Sequence, residues 1–276
     1  MLSGDQCAHE LRGALSTPSF YDDRGSGPAV LLSHGTLMDR TMFDAQVEAL
    51  ADRYRLVAFD HRARTGRWKG PYSLDDLADD CVRLLDKLGI ERCVLGGMSM
   101  GGFMAIELAL RYPERLNGLI LISSKAAAYD AEDIADIEQN LEKLLREETV
   151  PAEVAEWERD LVLGQTTQRE NPELVRYWMD RWMTRRSEAV YWEFKSWMHK
   201  DDVTERLAAI SVPTLVLHGT EDAVLPIETG RAMADAIPDS TFVPIERAGH
   251  TTTVEAPGLV SEAIRGFLDR MPATVR

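Results

Sequence analysis

The sequence predicts an α/β fold, a mostly parallel, doubly wound sheet with helices on both faces, and three observations carry that prediction. Short apolar runs, each ended by a turn residue or a charge, alternate with longer amphipathic runs. The alternation of strand with helix demands parallel crossovers, and these cover both faces of a sheet. One block, 130–211, breaks the alternation and carries helical periodicity throughout, so it reads as an insertion between two strands.

The runs "AVLLSHG", "YRLVAFD", "ERCVLGG", "LNGLILISS", "PTLVLHG" and "STFVPIE" are expected as buried strands. Between them "MFDAQVEALADR", "SLDDLADDCVRLLDKLG", "GFMAIELALRYPE" and "ETGRAMADAIP" repeat apolar residues three and four apart, as helices do. Within the insertion, "DIADIEQNLEKLL", "PAEVAEWERDLVL", "PELVRYWMDRWM" and "EAVYWEFKSWM" share that period. The organisation that follows is a core of residues 1–129 and 212–276 with a helical cap of residues 130–211. The cap carries Trp157, Trp178, Trp182, Trp192 and Trp197. Most of these rings are expected to hold the cap to the core, and some to roof a mainly apolar pocket at the strand ends.

At 276 residues the chain can bury a large core, and its 45% apolar and 28% charged content is ordinary for a globular protein. A net charge of −15 with no offsetting basic stripe argues against nucleic acid or an anionic membrane as partner. Cys7, Cys81 and Cys93 are spaced unlike a zinc site or a disulfide framework, which points to a reducing compartment with Cys93 buried in a strand. The stretch "MLSGDQCAHELRG" has no apolar core of a signal peptide, and no run of about 18 uncharged apolar residues occurs, so a cytoplasmic protein with no membrane span is expected.

The segment "LGGMSMGGFMA" packs Gly96, Gly97, Gly101 and Gly102 around Ser99, between a strand and a helix. A phosphate-binding loop would need Gly-Lys after a four-residue gap, and no lysine stands there. The dinucleotide Gly-x-Gly-x-x-Gly pattern cannot be laid on these glycines either. What fits is Gly-x-Ser-x-Gly, in which glycines leave room beside a serine carried on an abrupt strand-to-helix turn. Such a serine needs a base to take its proton and a carboxylate to orient that base. Downstream, "PTLVLHGTEDAVLP" offers Glu221 and Asp222 just past a strand, and spacing alone does not choose between them. The only later histidine is His250, again in a loop beyond a strand. His9, His34, His61, His199 and His218 do not satisfy the order serine, acid, histidine.

With these partners in place the chain resembles the α/β-hydrolase family, in its branch of small cofactor-free esterases, enol-lactonases and non-haem haloperoxidase or perhydrolase relatives. Five motifs in order carry the resemblance from about Gly25 to Met271: "LLSHGTLMD", "FDHRARTGR", "GMSMGG", "HGTEDAVLP" and "AGHTTTVEAP". The family frame Gly-x-x-Asp-x-x-x-Pro falls on Gly219, Asp222 and Pro226, which selects Asp222 over Glu221. The frame Gly-His-x-x-x-x-Glu-x-Pro falls on Gly249, His250, Glu255 and Pro257. The resemblance implies Ser99 as nucleophile, His250 as base and Asp222 as its acid, with backbone N–H groups of Thr36 and Met100 holding the oxyanion. It also implies that no metal or organic cofactor is needed.

The second motif departs from the family, which usually reads Asp-x-Arg-Gly-x-Gly-x-Ser there; this chain has Ala63 and Thr65 in place of the glycines. A rebuilt loop is expected, with Gly66 taking over a positive-φ position. Its basic residues are expected mainly in solvent, with Arg64 or Arg67 as the candidate contact to a substrate carboxylate.

The implied activity is hydrolysis of a mainly apolar, small carboxylic ester or lactone through an acyl-enzyme. The same triad suits cleavage of a C–C bond in a β-diketone-like substrate, and the fold also suits a ligand-binding regulator with little turnover. Epoxide hydrolase and haloalkane dehalogenase chemistry is disfavoured, because their family nucleophile is an aspartate where this chain has Ser99. Neither the oligomeric state nor the natural substrate is encoded in these motifs.

Overall fold

The computed structural model describes residues 20–271. The amino-terminal stretch with Cys7 and His9 therefore lies outside the described residues. All six expected strands form: β2 (Ala29–Ser33), β3 (Arg55–Phe59), β4 (Cys93–Met98), β5 (Leu116–Ile122), β6 (Thr214–Gly219) and β7 (Ser240–Ile245), but β7, expected as a buried strand, lies at the sheet edge and buries only Ile245. A seventh, β1 (Tyr21–Arg24), was not expected. The sheet order is β1-β3-β2-β4-β5-β6-β7, with β1 antiparallel to β3 and every other pair parallel. The centre is the driest part: every residue of β4 and β6 is buried, whereas β1 at the edge reads Tyr-Asp-Asp-Arg and ends exposed.

Helices α1 (Asp44–Leu50), α2 (Arg62–Thr65), α3 (Leu74–Lys87) and α4 (Met100–Arg111) precede β5. The start of α3 is set by a capping box in which Ser73 and Asp76 satisfy each other's backbone amides, and its face of Leu74, Leu77, Ala78, Cys81, Leu84 and Leu85 is buried at intervals of three and four. The short α2 occupies the rebuilt loop, and Gly66 ends it in the left-handed region at φ 72°, as the loss of the usual glycines led us to expect.

Between β5 and β6 lie α5 (Ala131–Leu144), α6 (Ala152–Val162), α7 (Gln165–Glu170), α8 (Pro172–Met183) and α9 (Ser187–Lys195). After β6 come α10 (Ile227–Ala236), α11 (Thr252–Glu255) and α12 (Pro257–Arg270). No helix of the described residues is long and apolar enough to cross a membrane. The loops after β2, β4, β6 and β7 all leave the carboxyl edge of the sheet, and they carry Thr36, Ser99, Asp222 and His250 respectively.

Candidate active site

Ser99 follows β4 directly and sits at φ 50°, ψ −117°, a conformation a non-glycine residue adopts only when its surroundings impose it. Its amide donates to the Ile122 carbonyl at 2.9 Å, and its carbonyl accepts from Gly102 and Phe103 at 2.8 and 2.9 Å, so strand and helix grip it from both sides. The glycines are there for close approach. A Cβ on Gly97 would stand 2.2 Å from the Gly101 carbonyl oxygen, and one on Gly101 would stand 2.3 Å from that of Ser33.

His250 Nδ1 lies 2.8 Å from Asp222 Oδ2, with the carboxylate fully buried. The other oxygen, Oδ1, accepts the amides of Val224 and Leu225, each at 2.9 Å. His218 adds its Nε2 at 3.2 Å from Oδ2. Burial alone would push the Asp222 carboxyl up, but the charge of His250 and the hydrogen bonds from His218 and His250 hold it far below the usual carboxylate range. Glu221, the rival acid, points elsewhere: it accepts from Thr166 N and Oγ1 at 2.7 and 2.6 Å on α7.

Glu255 has a job that the sequence motif did not specify. Its Oε2 takes the amides of Gly249 and Gly164 at 3.1 and 2.8 Å, and its Oε1 takes that of Thr251 at 3.1 Å. One carboxylate thus brackets His250 on both sides and ties its loop to the cap.

The loop after β2 begins with His34, whose ring burial keeps neutral by pushing its pKa down to about 3. The His61 amide approaches His34 Nε2 at 3.0 Å, so the ring proton sits on Nδ1 and goes to the Gly35 carbonyl at 2.7 Å. Next come Thr36 and then Leu37, which has φ 60°. The Leu37 amide donates to Glu193 Oε2 of α9 at 3.0 Å, and Arg64 joins them, its Nη2 at 2.8 Å from the same Glu193 oxygen and its Nε donating to the Met38 carbonyl at 2.7 Å. Asp39 is held in turn by Arg181 and Arg185. Three cap side chains therefore fix the segment from which Thr36 presents its amide. Met100 opens α4, so its N–H precedes the helix's own hydrogen-bond ladder.

Arg64 corrects an expectation. It neither reaches the cavity nor lies in solvent, because the Arg64–Glu193 pair is buried to within 3% on both sides. Arg67 is exposed and pairs with Asp80 at 3.1 Å.

A cavity of about 400 Å³ opens where these loops meet, lined by Ser99, His250 and Thr36 from the core. From the cap side it receives Trp157, Trp197 and Phe194, with Tyr129 beside them. Trp178, Trp182 and Trp192 do not line it: the first two are buried in the core cluster and Trp192 packs half-buried against it. Trp178 and Trp182 lie four apart on one buried face of α8, which fastens the cap rather than roofing the site. The cavity is also less apolar than expected, since Glu132, Asp133, Asp136 and Glu158 belong to its wall. Among the described residues no group of three or more His, Cys, Asp or Glu side chains is arranged to hold a metal ion.

Comparison with known proteins places this geometry among relatives. A family model for the alpha/beta hydrolase fold matches residues 28–257. A thermophilic esterase from Thermogutta terrifontis, solved with malate bound, shares 36% sequence identity at a TM-score of 0.87, over 93% of this chain and 96% of its own. An enol-lactonase from Burkholderia xenovorans shares 25% at a TM-score of 0.83, over 91% and 96%. Among curated sequences, 3-oxoadipate enol-lactonase 2 from Acinetobacter baylyi is 27% identical over 88% of this chain and 89% of its own length.

Proposed function

Because the chain belongs to the α/β-hydrolase family, we propose that it is a serine hydrolase of carboxylic esters or lactones, with Ser99, His250 and Asp222 as its triad. The observation that carries the reading is a single cavity wall holding a serine at positive φ and a histidine whose Nδ1 is committed to a buried aspartate. With Nδ1 so engaged, Nε2 is the nitrogen left to take the Ser99 proton. Ser99 Oγ then attacks the ester carbonyl carbon, and Asp222 stabilises the imidazolium without itself being protonated. The tetrahedral oxyanion is met by the N–H groups of Thr36 and Met100, each such donor contributing about 3 kcal/mol in comparable sites. His250 returns its proton to the departing alkoxide, or to the ring oxygen of a lactone, and then activates the water that cleaves the acyl-enzyme.

The esterase and enol-lactonase relatives support an ester-type bond as the target. The test is steady turnover of p-nitrophenyl esters of increasing chain length, with simple lactones alongside, by the wild-type protein and by Ser99→Ala. Turnover that disappears with the hydroxyl supports the assignment; turnover that survives in the variant refutes it.

A further inference from the structure

The cavity contains a carboxyl group for which the triad has no use. Glu158, on α6, is only 6% exposed and lines the same cavity as Ser99 and His250. It has no hydrogen-bond or ion-pair partner among the described residues. A carboxyl buried without a partner is strongly disfavoured as the anion, so it rests protonated in the empty site and is left with unused hydrogen-bonding and charge capacity that an occupant of the cavity can satisfy. Its neighbours say which kind of occupant. The rings of Trp157, Trp197 and Phe194 line the same space, and aromatic faces attract cations through their quadrupoles, as the adjoining Tyr129 ring already does with Lys125 Nζ, 3.6 Å from its centroid. At the exposed mouth stand Asp136, which accepts from Trp157 Nε1 at 3.2 Å, and Asp133, which is paired with Lys125 at 3.9 Å. No lysine or arginine lines the cavity.

Resting on the reading of this cavity as the ester site, we propose that Glu158 and the surrounding rings form a cation-recognition subsite, so that the enzyme prefers esters carrying an ammonium group over neutral isosteres. Burial, reinforced by the charge of Glu193, pushes the Glu158 carboxyl up to about 8 in the empty site. A bound ammonium reverses that balance: it favours the carboxylate, receives a charge-assisted contact, and leaves no buried charge unpaired. An anionic substrate meets the opposite field from Asp136 at the mouth and from Glu158 itself once it ionises.

The experiment uses ester pairs that differ by a single atom, a quaternary nitrogen in place of a quaternary carbon. Acetylcholine against 3,3-dimethylbutyl acetate puts the charge on the alcohol side; glycine betaine ethyl ester against ethyl 3,3-dimethylbutanoate puts it on the acyl side. In at least one pair the wild-type kcat/KM should favour the cation by about tenfold or more, the scale of a desolvated cation–π contact joined to a carboxylate. That ratio should collapse towards one in Glu158→Gln. If the neutral member is preferred in both pairs, or if the preference survives in Glu158→Gln, the subsite does not exist.

Binding separates this proposal from the hydrolase reading. Choline and 3,3-dimethylbutan-1-ol are titrated against Ser99→Ala protein by tryptophan fluorescence, with no turnover required. Tighter binding of choline supports the subsite even if no ester is cleaved, whereas hydrolysis of neutral esters without any choline preference overturns the subsite and leaves the triad standing. Should Glu158→Gln fail to fold, Asp136→Asn must lower the wild-type choline preference, and no change there counts against the proposal.

Discussion

Replacing Glu193 by glutamine keeps the shape of the side chain and removes its charge, stranding Arg64 at a place where solvent cannot compensate. The two groups are 2.8 Å apart with side-chain exposures of 3% and 0%. Losing one partner of so enclosed a pair costs about 3–5 kcal/mol, far more than any surface ion pair. For a protein of this size the loss corresponds to a fall in melting temperature of roughly 6–20 °C. Pairing Glu193→Gln with Arg64→Met should recover most of that stability, because a buried ion pair exchanged for neutral groups of similar volume is close to neutral in free energy.

The rate should follow a different rule. Glu193 Oε2 also accepts the Leu37 amide, next to the Thr36 amide assigned to the oxyanion. A glutamine can still accept that bond through its amide oxygen, whereas a leucine cannot. Glu193→Leu combined with Arg64→Met should therefore be stable but slow, with kcat down by as much as about 100-fold, approaching the loss of one oxyanion donor. Urea unfolding followed by circular dichroism gives the stabilities, and p-nitrophenyl acetate hydrolysis gives kcat. If Glu193→Gln alone lies within about 1 kcal/mol of wild type, or if both double variants have the same kcat, the clamp does not position the loop.

Three further outcomes are expected. Ser99→Ala should lose about 10⁴ to 10⁶ in kcat, and Asp222→Asn should be far more damaging than Glu221→Gln, whose carboxyl is bonded to Thr166; the opposite ranking of the acids would reassign the triad. His34 is neutral in the fold at about 3 and titrates near 6.5 when unfolded, so the unfolded chain binds more protons between those values and stability falls as pH drops through that window; His34→Gln should flatten the slope, as read from urea midpoints at successive pH. Trp157→Ala should level the rise of kcat/KM with acyl chain length, which is roughly fourfold per buried methylene while space remains; Trp178→Ala should lower stability and leave the rise intact, and identical profiles in the two variants would mean that Trp157 does not touch substrate.

Most of what the triad needs is local in the chain and therefore legible there. Ser99 is framed by glycines two residues away on each side, Asp222 and His250 lie three and five residues past the strands β6 and β7, and the five inner strands β2 to β6 are too apolar to be anything else. The edge strand β1 escaped because a strand with one paired side can be Tyr-Asp-Asp-Arg, a sequence without the apolar run that marks a buried strand. Arg64 was misplaced for a different reason: its partner Glu193 lies 129 residues away on a helix whose orientation no periodicity encodes. Glu158 was invisible on the same ground, since one acid within "AEWERD" looks like any solvated helix position until the packing of α6 turns it inward. For Trp178 and Trp182, a spacing of four puts both rings on one face of α8 without saying which way that face points.

The anchorage of the helical insertion bears on how such an enzyme can be remodelled. Glu193, Arg181 and Arg185 grip the loop after β2, while Glu221 and Glu255 of the core hold Thr166 and Gly164. Each joint has one half on either side, so transplanting a foreign insertion onto this sheet would strip Asp39 and Arg64, both almost wholly enclosed, of their charge partners and Glu255 of its bonds to Gly164 and Thr167. A chimera should then lose its rate even with every triad atom retained, because Glu255 would keep its grip on the His250 loop only from the core side and the Thr36 segment would be untethered. Grafting succeeds only if the incoming helices bring their own acid for Leu37 and bases for Asp39, or if those core positions are neutralised in the same step.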